Sequence, residues 1–311
     1  MGQGGQAAGL DGRGAMTSVP RISVVVPHYN DLERLDRCLG ALCAQTMPRD
    51  AYEIIVADNN SPCGIAAVEQ VVAGRARIVT AMTPGAGPAR NAGAEAAGGE
   101  ILAFTDSDCV PDAAWLERGV AALGRGGDFI GGGMKVLVPG GRPMSGAEAF
   151  ETVFAFDNER YVKRLHFTVT ANLFCPRALF LKVGPFRTAV SEDNEWCWRA
   201  RAMGFSIGYA ADAIVGHPAR ADWAQLKGKW RRICAERYAL SRDGGASALK
   251  WIGKTWLELP AIPVHALRIL TDRRVPSVGE RLSALGTLAA IRLWRFVEGH
   301  RIVLRGGGHA A

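Results

Sequence analysis

The sequence has no apolar run close to the length that a membrane-spanning helix needs. Such a helix takes about 20 consecutive apolar residues, and the apolar stretches of this 311-residue chain are much shorter. The first 18 residues are rich in Gly and Ala and also lack an apolar stretch, so they do not have the pattern of a signal peptide. We therefore expect a cytoplasmic protein in which residues 1–18 form a disordered leader.

Clustered cysteines are missing as well. Seven cysteines are scattered along the chain, and none forms a Cys-x-x-Cys pair or a Cys/His cluster with zinc spacing. This pattern argues against a disulfide framework and against a structural zinc site. We expect reduced, mostly buried thiols of the kind that cytosolic proteins carry.

The net charge of +7 is unevenly distributed along the chain. Residues 1–216 carry 20 Lys and Arg against 23 Asp and Glu, whereas residues 217–311 carry 17 against 7. The last part of the chain therefore holds all of the positive excess. A basic segment of this kind predicts contact with an anionic surface.

Short apolar runs alternate with segments of helical periodicity in the first part of the chain. Strands are predicted at residues 22–26, 53–57, 77–80 and 101–105, and each is followed by a predicted helix, near 32–42, 65–72, 88–97 and 112–123. This rhythm predicts an α/β fold with a mostly parallel central sheet and helices on both faces. Gly85 and Gly87 do not directly follow the first strand, so the dinucleotide-binding fingerprint is not met.

Two acids, Asp106 and Asp108, directly follow the predicted strand at 101–105. Carboxylates one residue apart can share a divalent cation, and magnesium takes phosphate oxygens beside its carboxylate ligands. Ligands of open α/β sheets bind at the carboxyl ends of the strands. An Asp-x-Asp pair also occurs by chance on solvated loops, so its context decides.

Four separated stretches supply that context. They read Val-Pro-His-Tyr-Asn at 26–30, Glu-Ile-Ile-Val-Ala-Asp-Asn at 53–59, Gly-Pro-Ala-Arg-Asn-Ala-Gly at 87–93 before the Asp-x-Asp pair, and Ser-Glu-Asp at 191–193 before Arg199, Gly204 and His217. Across about residues 20–218, their order and spacing resemble family 2 glycosyltransferases. The resemblance implies an inverting enzyme with the GT-A fold, a nucleotide-sugar donor, and Mn²⁺ or Mg²⁺ as cofactor.

The same resemblance implies how the chain is organised. The catalytic domain is expected at residues 19–218, with a donor half at about 19–128 and an acceptor half at about 129–218. Residues 219–311 are expected to form a helical, basic C-terminal extension.

The sequence departs from the family's pattern at two places. The second strand ends in Asp58 and Asn59 where two acids are usual, which puts the contacts of a second carboxylate in doubt. The Gln-x-x-Arg-Trp element of processive synthases is not matched by the nearest candidate, Lys-Trp-Arg-Arg at 229–232. A transferase of single sugars is therefore expected.

The resemblance also implies a set of metal ligands. Asp108 is expected to bind the metal directly, and Asp106 to contact the metal or the donor ribose. Several relatives use a histidine at the position of His217 as a ligand, and imidazole suits manganese. A histidine at a strand end is otherwise most often a hydrogen-bonded structural residue, so this alternative stays open.

Asp193 matches the acid that the family uses as its general base, and Glu192 is expected to orient it or to bind the acceptor. A carboxylate within reach of the acceptor hydroxyl can take its proton. The competing interpretation is that residues 191–193 cap the helix that follows them, since acids favour helix N-termini.

Contacts with both substrates are expected from the matched stretches. Asp58 could accept a hydrogen bond from a pyrimidine ring N–H, Tyr29 could stack on the base, and Arg90 could reach the phosphates or the ribose. The alternatives are a buried tyrosine with a bonded hydroxyl and an arginine on a helix surface. The predicted donor contacts are Pro27, Tyr29, Asn30, Asp58, Arg90, Asp106 and Ser107, and the predicted acceptor contacts are Asn172 and Trp196.

The basic extension has amphipathic character. Between residues 282 and 297 one helical face is expected to carry Leu282, Leu285, Ala289, Leu293 and Phe296, with arginines elsewhere. Basic amphipathic helices lie in the membrane interface. The alternative is that this face packs on the catalytic domain.

The leading hypothesis is inverting, non-processive transfer of a sugar from a UDP-linked donor to a glycan or lipid-linked glycan, in bacterial surface polysaccharide or glycoconjugate synthesis. A nucleotidyltransferase would place a Gly-rich phosphate loop after the first strand, where Pro27 to Asn30 stand. An inactive nucleotide-sugar-binding protein would not need its acids intact. We expect the protein in the cytoplasm at the inner face of the cell membrane, with no nucleic-acid partner.

Overall fold

The computed structural model describes residues 22–188 and 190–305 of the chain. Within them, eight strands form one sheet. The strands are β1 (Ile22–His28), β2 (Tyr52–Asp58), β3 (Arg77–Thr80), β4 (Ile101–Phe104), β5 (Val110–Pro111), β6 (Phe129–Leu137), β7 (Leu173–Pro176) and β8 (Ile207–Pro218). The expected leader, residues 1–18, lies outside the described residues.

Helices connect the strands and form the last part of the described chain. They are α1 (Leu32–Cys43), α2 (Ile65–Val72), α3 (Ala86–Ala96), α4 (Trp115–Ala122), α5 (Gly146–Phe154), α6 (Asn158–Arg160), α7 (Arg177–Val183), α8 (Glu192–Ala202), α9 (Trp223–Asp243), α10 (Ala248–Trp256), α11 (Ala261–Thr271) and α12 (Val278–Leu304). Short 3-10 turns lie at Arg49–Ala51 and Thr170–Asn172, and a π-helical turn lies at Tyr161–Leu165. The strands and helices predicted up to residue 123 all form, with small differences at their ends.

The sheet is parallel in its first half and mixed in its second. The strand order is β3-β2-β1-β4-β7-β6-β8-β5. Parallel pairs join β1 to β2 and β4, β2 to β3, and β6 to β8. Strand β7 is antiparallel to both of its neighbours, β4 and β6, and β5 is antiparallel to β8. The sheet is therefore mostly parallel, as predicted, and its direction reverses where the two halves meet.

The side chains of the central strand β1 alternate between two apolar cores. Val24 and Val26 belong to a core with Leu39 of α1, whereas Val25 belongs to a second core with Phe104 and Trp196. Because successive residues of a strand point to opposite faces, helices must cover the sheet on both sides. The predicted α/β architecture is thus confirmed.

The carboxyl ends of β1, β2 and β4 lie side by side at one edge of the sheet. His28 at the end of β1 is in register with Asp58 at the end of β2, and the chain leaves β4 just before Asp106. Helix α1 starts at the same edge, where Asp31 accepts a hydrogen bond from the backbone N–H of Arg34 at 3.2 Å, as an N-cap residue does.

The basic extension is helical, as predicted, and shares an apolar core with the preceding part of the chain. This core joins α5 to α9, α11 and α12, and its members include Phe150, Leu226, Ile269 and Leu288. All four of these side chains are buried. The extension therefore folds against α5 through its own hydrophobic contacts.

Two neighbouring faces of α12 have different surroundings. Leu288 and Ile291 are buried in the core shared with α5. Leu282 and Leu293, which lie on the predicted amphipathic face, are 63% and 51% exposed. The face of α12 that packs on α5 therefore lies beside the predicted amphipathic face, and Leu282 and Leu293 remain exposed. None of the described helices combines the length and the apolar character that crossing a membrane requires.

Leu288→Ala should lower the free energy of unfolding by about 2–5 kcal/mol, because it removes buried methyl groups and leaves a cavity between α12 and α5. Leu282→Ala on the same helix is the matched control and should change it by less than about 0.5 kcal/mol. Urea denaturation followed by tryptophan fluorescence measures both. Equal effects of the two substitutions would contradict the packing of the extension on α5.

Candidate active site

Two connected cavities open at the carboxyl edge of the sheet. The outer cleft, about 630 Å³, lies between the ends of β1 and β2, the start of α3 and the loop after β4. The inner cavity, about 280 Å³, lies between that loop and α5, α8 and α9. Arg90, Asp106, Asp108 and Arg232 line both. A molecule in one cavity can therefore meet a molecule in the other at these side chains.

Five of the predicted donor contacts line the outer cleft: Pro27, Tyr29 and Ser107, together with Arg90 and Asp106 at the junction with the inner cavity. The side chain of Tyr29 is 61% exposed, so the alternative of a buried tyrosine is wrong and the ring is open to a ligand. Asn30 turns the chain at a φ of 52°, and its backbone N–H donates to the hydroxyl of Ser61 at 2.9 Å. Asn30 thus shapes the wall of the cleft.

Asp58 requires a correction. It is 2% exposed, lies 2.8 Å from Nδ1 of His28, and accepts the backbone N–H and the hydroxyl of Ser61 at 3.0 and 2.5 Å. Burial disfavours its charged form, but the bonds from Ser61 and His28 outweigh burial and lower its pKa. Its carboxylate is therefore engaged behind the wall of the cleft, which is lined here by Asn59 and Asn60.

Arg90 connects two acidic segments that are distant in the sequence. Its guanidinium pairs with Asp106 at 2.5 Å and with Glu192 at 2.9 Å, and the residue is only 3% exposed, which excludes a helix-surface arginine. Helix α3, which carries Arg90, packs closely on β1 because Gly93 has no Cβ. A Cβ at Gly93 would collide with the side chain of Val25. Arg90 thereby fixes the loop after β4 against the start of α8.

Asp108 and His217 lie together at the junction of the two cavities. Nε2 of His217 is 3.4 Å from Oδ2 of Asp108. Nδ1 of His217 lies 2.8 Å from the carbonyl oxygen of Pro218, which leaves Nε2 for another partner. Burial lowers the pKa of His217, and the opposing effect of the Asp108 charge is smaller. The neutral imidazole is therefore favoured. Ligating histidines are commonly oriented by such a second hydrogen bond, so this pair fits a divalent cation.

Cys109 is the third member of this group, and Asp106 is not a member. The possible ligand atoms of Asp108, Cys109 and His217 all lie within 4.8 Å of one another. Burial opposes the charged form of Asp106, but Arg90 outweighs it, so its pKa is lowered and its carboxylate is engaged by the guanidinium. Asp106 is thus held by Arg90 in this structure, and its expected contact with the metal or the donor ribose stays a prediction. Carboxylate and imidazole suit manganese, whereas thiolates select softer metals, so Asp108 and His217 are the members that match it.

Asp193 lines the inner cavity at the start of α8. Its Oδ1 accepts the backbone N–H of Asn194 at 2.8 Å and the hydroxyl of Ser191 at 3.1 Å. Burial, together with the charge of Glu192, raises the pKa of Asp193 to about 6. Glu192 is paired with Arg90, whereas Asp193 has no cationic side chain within 4.0 Å in the described part of the chain. Of these two neighbouring acids, therefore, only Glu192 has its charge stabilised by an ion pair.

The two predicted acceptor contacts are structural residues. Asn172 is fully buried, and its amide donates to the carbonyls of Gly133 and Ala213 at 2.9 and 2.8 Å. Trp196 is also fully buried, and its indole N–H donates to the carbonyl of Gly184 at 2.9 Å. Neither side chain presents a surface to a ligand, so both predictions are wrong.

Helix α9 of the extension closes the inner cavity, and this was not predicted. Arg232, Glu236 and Arg237 line the cavity from one side of the helix. Burial raises the pKa of Glu236 to about 7, with the charges of Glu192 and Asp193 adding to it and Arg232 opposing it. The helical spacing of these charged residues after the N-cap Asp222 is the signal that could have indicated them.

A buried ion cluster holds α9 in place. Glu151 of α5 is 1% exposed, and its carboxylate accepts from Nζ of Lys229 at 2.5 Å and from the backbone N–H of Arg220 at 2.8 Å. Burial disfavours the anion, but Lys229 and Arg220 outweigh it and lower the pKa of Glu151. The extension is thus tied to α5 by charge beside the cavity as well as by apolar packing.

The mixed sheet of this order, with helices on both faces, has the GT-A fold. The sequence model of the family described as glycosyl transferase family 2 matches residues 23–183, just over half of the chain. The chain therefore belongs to family 2 and is a glycosyltransferase.

Individual proteins agree with this assignment. Glycosyltransferase AglE of Haloferax volcanii is 34% identical over 224 residues, which cover 70% of this chain and 73% of that protein. Mannosyltransferase PcManGT of Pyrobaculum calidifontis, solved with GDP-Man and Mn²⁺, has a TM-score of 0.56 at 20% identity and covers 92% and 87% of the two chains. S. aureus TarS 1-349 with UDP-GlcNAc has a TM-score of 0.51 at 20% identity and covers 69% and 64%. The two structures support the fold.

Arg90→Met should lower the free energy of unfolding by about 3 kcal/mol, because the substitution leaves two partly buried carboxylates without their cation. Arg187→Met is the matched control, since the pair of Arg187 with Asp243 is about half exposed and such pairs contribute about 0–1 kcal/mol. Urea denaturation at neutral pH measures both. An effect of Arg90→Met no larger than that of the control would contradict the bridging role.

Proposed function

We propose that this enzyme transfers a single sugar from a nucleoside diphosphate sugar to a hydroxyl of a glycan or lipid-linked glycan, with inversion at the anomeric carbon. One observation carries the proposal. The outer cleft and the inner cavity meet at Arg90, Asp106 and Asp108, and Asp193 faces the inner cavity just beyond them. An acid at this position supports a reaction between a donor in the outer cleft and an acceptor in the inner cavity.

The outer cleft is proposed as the donor site. Tyr29 offers an open ring on which a base could stack, and Pro27 and Ser107 lie on the same walls. Of the two solved structures, TarS 1-349 is in complex with UDP-GlcNAc and PcManGT is in complex with GDP-Man. We propose a uridine diphosphate sugar as donor, with GDP as the comparison in binding experiments.

Asp108 and His217 are proposed as the metal ligands, with Mn²⁺ or Mg²⁺ as the ion. The support is the 3.4 Å approach of Nε2 to the carboxylate and the hydrogen-bonded Nδ1. Bound there, a divalent ion would act as a Lewis acid on the departing diphosphate. Arg232, which lines both cavities, would add a positive charge on the same side.

Asp193 is proposed as the general base. The acceptor oxygen attacks the anomeric carbon as the bond to the nucleoside diphosphate breaks, and the hydroxyl proton passes to the Asp193 carboxylate. A base is most effective when its pKa lies near the working pH, and the pKa of about 6 leaves Asp193 ionised at neutral pH. Glu192 forms an ion pair with Arg90, so we propose that it acts through its negative charge, which helps to raise the pKa of Asp193.

The competing functions account for less of the site. A nucleotidyltransferase would require the phosphate loop that Pro27 to Asn30 replace. A binding protein without activity would gain nothing from an uncompensated acid in the inner cavity. We also propose that the enzyme adds one sugar at a time, serves a surface polysaccharide or glycoconjugate pathway, and works at the inner face of the membrane. The exposed leucines of α12 support the last of these points.

Asp108→Asn should abolish most turnover and weaken the manganese-dependent binding of UDP, because it removes the charged ligand. Calorimetric titration of UDP with and without Mn²⁺ measures the binding. Asp112→Asn is the control, since Asp112 is exposed and lies outside both cavities. His217→Ala should weaken the same binding. Unchanged manganese dependence in both site variants would remove the proposed metal site.

Asp193→Asn should leave UDP affinity intact while lowering transfer by roughly 10²–10⁴-fold, because the base acts on the acceptor. In the wild type, kcat/KM should fall on the acid side with an apparent pKa of about 6, as protonation removes the base. Glu192→Gln should move this limb to lower pH, since the charge of Glu192 helps to raise the pKa.

The pH profiles of initial transfer rates, together with proton NMR of the product's anomeric configuration, provide the measurement. If Asp193→Asn stays within a few-fold of wild type, Asp193 only begins α8. Retention of configuration would exclude single displacement.

A further inference from the structure

A second groove, of about 470 Å³, lies where α9, α10 and α12 of the extension meet the end of α8. We call it the extension groove. Leu165, Trp198, Leu240 and Trp251 form its apolar walls. Trp198 is 43% exposed, so an aromatic surface is open to an occupant.

The extension groove continues into the inner cavity. Phe167, Asn194, Ile233 and Arg237 line both spaces. Asn194 directly follows Asp193, the proposed base. An occupant of the groove would therefore extend to the place where the acceptor hydroxyl must lie.

The groove carries more positive than negative charge. Arg237 and Lys254 line it, and neither has a carboxylate within 4.0 Å among the described residues. Arg295, which also lines it, shares the single carboxylate of Glu258 with Arg292. Three cationic side chains thus line the groove against one acid, and that acid also pairs with Arg292.

The positive charge of Arg295 is not fully compensated by the acid beside it. Its guanidinium stacks on Trp230 at 4.1 Å, and its buried Nε has no hydrogen-bond partner in the described part of the chain. Burial lowers the pKa of Arg295 in spite of the opposing charge of Glu258. A buried cation with incomplete compensation is a favourable neighbour for an anion.

Apolar surface continues along α10. Trp256 and Leu257, next to the groove-lining Lys254 and Thr255, are 56% and 65% exposed. The groove therefore joins the inner cavity, with its acids, to a space lined by cationic and apolar side chains, and exposed apolar residues follow Lys254 and Thr255 in the chain. An amphiphile with a glycan, a phosphate and a hydrocarbon chain has matching properties.

We propose that the extension groove binds the phosphate or diphosphate of a lipid-linked acceptor, with Arg237 and Lys254 on the phosphate, the glycan in the inner cavity and the hydrocarbon chain along α10. Charge-assisted hydrogen bonds from Arg and Lys to a phosphate are stronger than hydrogen bonds between neutral groups. The assignment rests on the proposed transfer function, because it names the acceptor of that reaction.

Farnesyl diphosphate, titrated calorimetrically into the full chain in the presence of EDTA, is the probe. EDTA keeps metal from holding the diphosphate at the outer cleft. We expect the Kd to rise at least tenfold in the double variant Arg237→Gln, Lys254→Gln. The matched control is Arg231→Gln, Lys250→Gln, on the same two helices but away from the groove, and it should bind as the wild type does.

Two further ligands distinguish the source of binding. Farnesol should bind at least tenfold more weakly than farnesyl diphosphate, and so should inorganic pyrophosphate. Equal binding of farnesol would mean an apolar groove only, and equal binding of pyrophosphate would mean a site for free phosphate. Either result overturns the proposal, as does wild-type affinity in the groove variant.

The titration of UDP with Mn²⁺ separates this proposal from the proposed function. The groove variant should bind UDP as the wild type does, because its substitutions lie away from the outer cleft. If the wild type binds farnesyl diphosphate but not UDP, the donor assignment fails and the groove stands. If it binds UDP but not farnesyl diphosphate, the groove assignment fails alone.

Discussion

The geometry of the site depends on the buried guanidinium of Arg90. Several acids line the two cavities, among them Asp106, Glu192 and Asp193, and like charges at short range raise one another's pKa. Arg90 neutralises two of them, Asp106 and Glu192, and holds them on opposite sides of one side chain. Asp193 is left with burial and the charge of Glu192, so its pKa rises while that of Asp106 falls. One cation thus separates an acid that stays charged from one poised to accept a proton.

The extension completes the wall of the inner cavity. Lys229 ties α9 to Glu151 of α5, and the same helix then presents Arg232 and Glu236 to the inner cavity. A buried carboxylate that lost its cation would carry a large penalty, so α9 cannot shift freely while this pair is intact. The position of Glu236 near the proposed base therefore follows from an ion pair two turns earlier in the helix.

The sequence predicted those parts of the site that depend on local pattern. Apolar runs located β1 to β4, and parallel strands bring their carboxyl ends to one edge, so Tyr29 and Asp108 were found from their place after a strand. Asn172 and Trp196 were misassigned because burial depends on contacts distant in sequence. Asp58 sits at a strand end as predicted, but its neighbour Ser61 engages the carboxylate. The helical spacing of Arg232, Glu236 and Arg237 indicates a charged face on α9, but not what that face contacts, since a basic amphipathic helix packs on a protein or a membrane with the same pattern.

The proposed donor and acceptor sites are thus built from different parts of the structure. Residues that follow β1, β2 and β4 form much of the outer cleft, and the backbone pairing of these strands fixes where their ends lie. The family match ends at residue 183, whereas the inner cavity and the extension groove take many of their walls from α8 to α12. Helices packed on the outside of a sheet can change their exposed residues without disturbing it. If the proposed assignment of the two cavities is right, changes in the extension alter the acceptor site, whereas the donor site depends on the sheet itself.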